Sequence, residues 1–290
     1  MERVWEYTQT PHIHQEWDLR FNSIEYLPKE QEDDPQHFLY ATKIGVGLKV
    51  SGKGKSVGTH SKETGESTSA LKFWSDEKIS LIRTGSGYWK YIPATGGVTF
   101  LTWYDYETRW GIVGKIIDKL MFRPLIWWAT AWSFDALKLW LEKGIPARQS
   151  KNLFYVYCVA NFLIALTWIY HGVVPKLMYM ETGELAMIQT AGISTFKDIE
   201  PQMVYAVGIG EILFGLCFLL FGRQRIIHYL SIFGLIGLGI GALISKPDIY
   251  TYPFNPATTS FGIIGLSLIV LKIVKYVPSA SNCKYKPDNK

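Results

Sequence analysis

Cysteine is scarce. Cys158, Cys217 and Cys283 are the only three in 290 residues. They form no CxxC pair and no even framework, so a disulfide scaffold and a zinc ligand set are both excluded. Charge is scarce in one half only. Residues 1–150 carry 19 Lys+Arg and 18 Asp+Glu, whereas residues 151–290 carry 11 and 7. A net charge of +5 without a concentrated basic face gives no nucleic-acid footprint, and no nucleic-acid partner is expected. The first 30 residues lack the apolar core of a signal peptide, so the first half is expected to stay in the cytoplasm. Also absent are a nucleophile elbow, a Walker loop, a dinucleotide fingerprint and an HExxH pair, and no catalytic residue is assigned. Gly52–Ser56 (GKGKS) has the flavour of a phosphate loop but not its spacing, and reads as a hairpin turn. His12 and His14 with Glu16 alternate on a short polar segment, too weak a pattern for a metal site; no metal is expected.

What is present is apolar. Hydrophobic residues make up 48% of the chain and aromatics 15%, far above what a disordered segment holds. Four runs stand out in the second half. Leu153–Val174 has 22 residues without a Lys, Arg, Asp or Glu. Met203–Phe221 has 19 with one such charge, Glu211, and Ile226–Ile244 has 19 with one titratable group, His228. Phe254–Leu271 has 18 uncharged residues, followed by Lys272 and Lys275. At 1.5 Å per residue each run crosses most or all of about 30 Å of hydrocarbon. Four spans are therefore predicted, with membrane lipids as partners. Lys and Arg at the run ends set the orientation. Eleven lie on the side of both termini and three (Lys176, Lys197 and Lys246) on the other, which predicts a multi-pass protein of the cell membrane with both termini cytoplasmic. The external loop 175–202 has room for a short interfacial helix. Gly237 and Gly241 form a GxxxG pair, read as close packing within the bundle, with a dimer face as the alternative.

Polar groups inside a bilayer are expensive and mark candidate sites. Glu211 sits near the middle of its run. Asn161 and His171 fall with Tyr157 and Trp168 on roughly one face of the first run. Asn161, His171 and Glu211 form the expected intramembrane polar site, with a structural hydrogen bond as the competing role for Glu211. His228 reads as a solvated cap beside Arg225.

The first half alternates. Strands are expected at 36–44, 46–50, 55–62, 69–75, 79–85 and 97–107, the last with Val98, Phe100, Thr102, Tyr104 and Tyr106 on one face. Turns are expected at Gly52, Gly54, Asp76–Glu77 and Ala94–Gly97. A short helix over 114–122 and a long one over 125–143, opened by Pro124, follow. The fold class is α+β, an antiparallel sheet around a long helix, followed by an all-α four-helix membrane bundle. The divisions are 1–145, a linker at 146–152, and 153–290. Trp127, Trp128 and Trp132 serve either the core of the long helix or docking on the inner leaflet, where Trp is favoured.

Two resemblances cover nearly the whole chain. Residues 1–145 resemble the helix-grip superfamily (SRPBCC) of START lipid-transfer domains and polyketide cyclases, through Val4–Asp18 (VWEYTQTPHIHQEWD), Val50–His60 (VSGKGKSVGTH), Phe100–Gly111 (FLTWYDYETRWG) and the long helix. Such domains begin with a strand ahead of the helix expected at Glu2–Thr8; here Met1 falls where that strand should already have ended, so the expectation is either a start upstream of Met1 or an incomplete sheet. Residues 151–290 resemble the DoxX-like membrane family through Leu166–Leu177 (LTWIYHGVVPKL), Thr182–Met187 (TGELAM) and Val207–Leu216 (VGIGEILFGL). The helix-grip resemblance implies a cavity for a lipophilic small molecule, a lipid or a quinone. Trp17, Phe73, Trp89, Phe100, Thr102, Tyr104 and Tyr106 are candidate wall residues, each with core packing as the alternative. Arg109 is a candidate for an acidic head group, with an ion pair to Glu107 or Asp105 as the alternative. The DoxX-like resemblance implies a second function: the quinone-linked membrane subunit of an oxidoreductase complex, fed by a soluble redox partner, with quinone near Glu211 and His171. Quinone is the sole cofactor either resemblance suggests.

Overall fold

The computed structural model describes residues 1–44, 47–182, 184–190 and 199–285. The chain divides into two compact units. One comprises residues 1–150 together with 278–290, the other residues 151–277.

The first unit opens with two short helices, α1 (Glu2–Gln9) and α2 (Pro11–Trp17), separated at Thr10 because Pro11 suits only a first helical turn. Six antiparallel strands follow, each hydrogen-bonded to the next in chain order: β1 (Ser23–Tyr26), β2 (His37–Ile44), β3 (Leu48–Ser61), β4 (Ser67–Trp74), β5 (Ile82–Ala94) and β6 (Gly97–Thr108). The expected meander is there, with four differences. The strand expected at 79–85 is β5, which begins at Ile82 and continues to Ala94. β1 was not foreseen, being four residues at a sheet edge. The strands expected at 46–50 and 55–62 are one strand, β3; residues 45 and 46 lie outside the described residues. Gly52 and Gly54 are not turn residues but mid-strand positions, where a Cβ would overlap the rings of Tyr40 and Phe38 from β2. The expected turn at Ala94–Gly97 is real, and Gly96 takes φ +80° there.

After β6 come α3 (Gly111–Ile117), a π-type turn (Asp118–Phe122) and the long α4 (Arg123–Lys143), with Pro124 in its first turn. Gly144 closes α4 at φ +67°. Trp17, Trp89, Tyr91, Leu137 and Ala147 make the core of this unit, with Phe100 and Phe134 stacked at 4.7 Å beside them. Each large apolar side chain fully buried in this way contributes about 1.5–3 kcal/mol. Trp132 is buried as well and Trp140 is half-buried, so of the four tryptophans of this helix Trp127 and Trp128 are the open ones. Residues 278–285 belong to this unit too. The buried Asp135 carboxylate accepts from Ser279 N–H (2.8 Å) and Asn282 Nδ2 (2.9 Å), and the Cys283 thiol donates to the Ala131 carbonyl.

The second unit is helical. α5 (Ala147–Gly172) starts within the segment expected as a linker and runs into a π-type turn (Val173–Met178). Then come α6 (Glu184–Thr190), in the loop where a short helix was expected, α7 (Glu200–Phe221), α8 (Arg225–Ser245) and α9 (Pro256–Ile273). Among the described residues four helices are long and apolar enough to cross a membrane: residues 147–178, 200–221, 225–244 and 256–282. Their outward faces carry exposed apolar groups such as Leu220, Phe233 and Phe261, as a lipid solvent requires. Inside, Ile164, Ala165, Trp168, Phe218, Ile227, Leu235 and Ile263 form the core, and Trp168 Nε1 donates to Ser231 at 3.0 Å. α7 lies close against α5 and its π-type turn at Gly208, Gly215 and Gly222, one glycine every seven residues. A Cβ at Gly215 would lie 2.8 Å from Ile169 and 2.9 Å from the Ala165 carbonyl. The expected close-packing pair, Gly237 and Gly241, meets nothing within 4 Å. The tight crossing is therefore on α7, and the GxxxG pair of α8 plays no part in it.

Candidate functional site

Pro175 organises the membrane site. It has no N–H to give to the carbonyl of His171 four residues earlier, and the helix widens into the π-type turn around it. That widening turns Lys176 inward. Its Nζ approaches the freed His171 carbonyl at 3.5 Å, and the side chain is buried against α7. The small residues Gly172 and Gly208 make this possible: a Cβ at Gly208 would sit 2.9 Å from Lys176 Cβ.

Two carboxylates meet the ammonium. Glu211 Oε2 lies 2.8 Å from Lys176 Nζ and Glu184 Oε2 lies 2.5 Å from it. Lys176 and Glu211 are 6% and 9% exposed at the side chain, Glu184 31%, so the cluster opens on the Glu184 side. Lys176 had been counted as an external loop charge. It is instead the buried centre of this cluster, because a lone cation in a dry bundle is stable only against an anion. Lys197, counted on the same side, lies outside the described residues.

Of the three expected intramembrane residues, Glu211 and His171 belong here, His171 through its carbonyl. Asn161 does not. It sits 15 residues earlier on α5, donates to the Tyr157 carbonyl at 2.8 Å and packs on Gly222. His228 is not a solvated cap either. It is 1% exposed, and its Nε2 is bound to the Gly222 carbonyl at 2.9 Å, closing the end of α7.

The first unit holds its own buried charges, which the sequence reading missed. Asp18 is wholly buried. It accepts from Arg20 Nε (2.9 Å), Arg20 Nη2 (2.6 Å), the Arg20 backbone N–H (3.0 Å) and His14 Nε2 (3.0 Å). Burial alone would raise its carboxyl; the Arg20 guanidinium and the His14 hydrogen bond outweigh that and hold it well below the usual carboxylate range. Burial pushes the His14 imidazole down, so it is neutral and donates from Nε2. His14 stacks on Trp17 at 4.9 Å and meets Trp89 edge-on at 4.8 Å. Of the weak histidine pattern noted in the sequence, His14 alone is buried, and as a hydrogen-bond donor. Among the described residues no group of three His, Cys, Asp or Glu is placed to hold a metal ion.

The expected wall residues divide along the sheet. Trp89 and Phe100 sit at the filled end, in contact with each other at 5.8 Å and with Trp17 and Phe134. Phe73 lies across Gly85 of the neighbouring strand. Thr102, Tyr104 and Tyr106 lie at the other end, all half-buried. Arg20 stands over the Tyr104 ring at 5.9 Å, and Tyr104 stacks with Tyr106 at 6.3 Å. Tyr106 donates to Asp118 at 2.5 Å; burial and that hydrogen bond push its phenol well up. Arg123 holds the other Asp118 oxygen at 3.0 Å. Next to them an open cleft of about 730 Å³ is lined by Arg83, Lys115, Lys119 and Arg123 with Glu107 and Asp118. Arg109 is bonded to the Ser75 carbonyl, and Glu107 is paired with Arg83, so neither expected ion pair of Arg109 is the one formed.

Residues 165–268 match the DoxX-like family. An uncharacterized membrane protein of Bacillus subtilis (strain 168), YndG, is 50% identical over 173 residues, which cover 59% of this chain and 64% of that protein. No solved structure matches the chain. The chain thus carries a DoxX-like C-terminal membrane domain behind a six-stranded antiparallel sheet domain.

Proposed function

We propose that the membrane half binds a lipophilic carbonyl compound of the quinone class beside Lys176 and Glu211, as the membrane subunit of an oxidoreductase. The composition of the cluster carries this reading. Two carboxylates face one ammonium, leaving one negative charge in excess in a low-dielectric site, which a proton or a hydrogen-bond donor neutralises. Reduction of a quinone takes up protons at its oxygens. Lys176 is placed to donate to a carbonyl oxygen, Glu211 to hold the proton, and the half-exposed Glu184 to exchange it with water. Electrons come from a soluble redox partner. The resemblance to the DoxX-like family supports the same reading.

The test is binding of a short-chain quinone to the full chain in lipid nanodiscs, followed by quenching of its tryptophans. Lys176→Met and Glu211→Gln are each expected to weaken binding tenfold or more with the helical content unchanged. No binding by the parent chain, or unchanged affinity in both variants, overturns the reading.

A second reading concerns residues 1–145, as a helix-grip domain that takes a lipid or other lipophile. It is supported by the order of two short helices, an antiparallel meander and a long helix, and by the open end of the sheet at Thr102, Tyr104 and Tyr106. Trp89 and Phe100 then support the wall from behind, and Arg109 holds the loop at Ser75. Identification of a lipid co-purifying with the chain, lost on Tyr104→Ala, tests it; an empty chain overturns it. The flanking Lys and Arg support a cytoplasmic position for both termini. Burial of Lys176 removes one cation from the opposite side and strengthens that asymmetry.

A further inference from the structure

The chain reverses sharply after β6. Trp110 adopts φ +62°, rare for a bulky side chain, and Gly111 follows at +54°. Gly114 then lets α3 come against the Arg109 carbonyl, where any Cβ would clash. This bend, together with the anchoring of Asp118 by Tyr106 and Arg123, fixes the outward face of the segment 111–125. That face is apolar and uncovered. Ile112 is 77% exposed, Leu120 75%, Met121 63% and Val113 61%, with Ile116 and Leu125 above half. Exposed apolar side chains are ordinary when scattered, but a contiguous set on one helical segment marks a contact surface. The same segment carries Lys115 and Lys119, which with Arg83 and Arg123 give the neighbouring cleft its positive excess over Glu107 and Asp118.

We propose that residues 111–125 form an in-plane membrane helix, with Ile112, Val113, Ile116 and Leu120 in the acyl boundary and the Lys115–Lys119–Arg123 cleft on the phosphate of an anionic phospholipid. Three observations select a bilayer as the occupant. The first candidate span begins at residue 147, only a few residues after α4 ends at Lys143, so chain connectivity keeps this unit beside lipid. Cations border the apolar face, the distribution of an interfacial helix whose charged side chains reach back to the headgroups. The open Trp127 and Trp128 follow directly, and Trp favours the same layer.

The experiment uses the full chain with its three cysteines replaced by alanine, reconstituted in phosphatidylglycerol-containing vesicles. A spin label is placed at Ile116→Cys, Leu120→Cys or, as a control, Val57→Cys, an exposed site on β3. Collision with oxygen is compared with collision with a water-soluble nickel chelate. Labels at 116 and 120 are expected to favour oxygen several-fold over the label at 57. Replacing phosphatidylglycerol with phosphatidylcholine, or adding Lys115→Gln and Lys119→Gln, is expected to bring both labels nearer the water. Labels at 116 and 120 that meet the nickel chelate as freely as the label at 57 overturn the proposal. Labels shielded from both reagents also overturn it, since protein and not lipid then covers the face. A depth indifferent to lipid charge overturns the phosphate site.

Discussion

Each unit of this protein buries an ion cluster, and the two are built differently. Asp18 in the first unit receives four hydrogen bonds from two neighbours on its own short stretch of chain and is closed to water on every side. Its charge is balanced by Arg20, with His14 neutral. The cluster at Lys176 in the membrane unit draws on three separate elements, sets one ammonium against two carboxylates, and opens through Glu184. A balanced, enclosed cluster can only hold a fold together. An unbalanced one with an outlet can also exchange a proton, and that is the physical ground for seeking function in the second and stability in the first.

The comparison breaks most readily at Asp18. Asp18→Asn leaves Arg20 buried without its anion, a loss of about 3–5 kcal/mol. The expected outcome is a large fall in the melting temperature of the first unit, followed by its aromatic circular dichroism; an unchanged melt would erase the distinction. Gly208→Val comes next. It drives a branched side chain against Lys176 and is expected to cost about 1–3 kcal/mol by overpacking, whereas Gly237→Val, in open space, is expected to leave the melt in detergent unchanged. Removing Lys176 and Glu211, two of the three charges of the second cluster, should be milder. Lys176→Met with Glu211→Gln is expected to change stability by about 1 kcal/mol or less, because polar contacts in membrane bundles contribute modestly, and to abolish the quinone binding proposed above. A large stability loss would make this cluster structural like the first.

The smallest effect is one of pH. The folded-state pKa values of Asp18 and His14 are both depressed, so the unfolded chain binds more protons than the folded one as pH falls. Stability from Asp18 is full above the ordinary carboxylate range and is lost as pH falls toward its depressed value. His14 adds a shallower loss that begins below about 6.5, its unperturbed value. His14→Gln is expected to flatten the melting temperature between pH 7 and 5 and to leave the steeper acid limb in place. A slope unchanged by the substitution would mean that His14 is not the group titrating.

The sequence and the structure agree where the signal is local. Four apolar runs became four helices long and apolar enough to span, because hydropathy over about 20 residues needs no knowledge of the fold. β6 and the turn before it were legible from alternation and from the turn residues Ala94–Gly97, whereas most of β5 was not, its glycines Gly85 and Gly87 reading as a break. The meander was less legible at Gly52 and Gly54. Those glycines give way to rings on the next strand, and a sequence does not show which ring will lie opposite. Lys176 was the main loss. A lysine after a proline at the end of an apolar run looks like a solvated terminus, and its partner is 35 residues away. The usable signal was Gly172 with Gly208, small residues at matching positions that let two helices close around a longer side chain. In the first unit, Asp18 and Arg20 were passed over because two adjacent opposite charges usually lie on a surface.

The tail at residues 278–285 has a consequence for how the molecule is made. Asp135 lies in the first unit, yet its partners Ser279 and Asn282 are separated from it by the whole membrane segment. During synthesis the sheet and α4 emerge first, and Asp135 is without these two donors while the apolar helices are translated. Only then does the chain supply the donors that close the unit. Insertion of the bundle and completion of the preceding domain are thereby linked in time: a chain arrested before residue 279 carries an unfinished first domain, even though every strand and helix of its sheet layer has already been made.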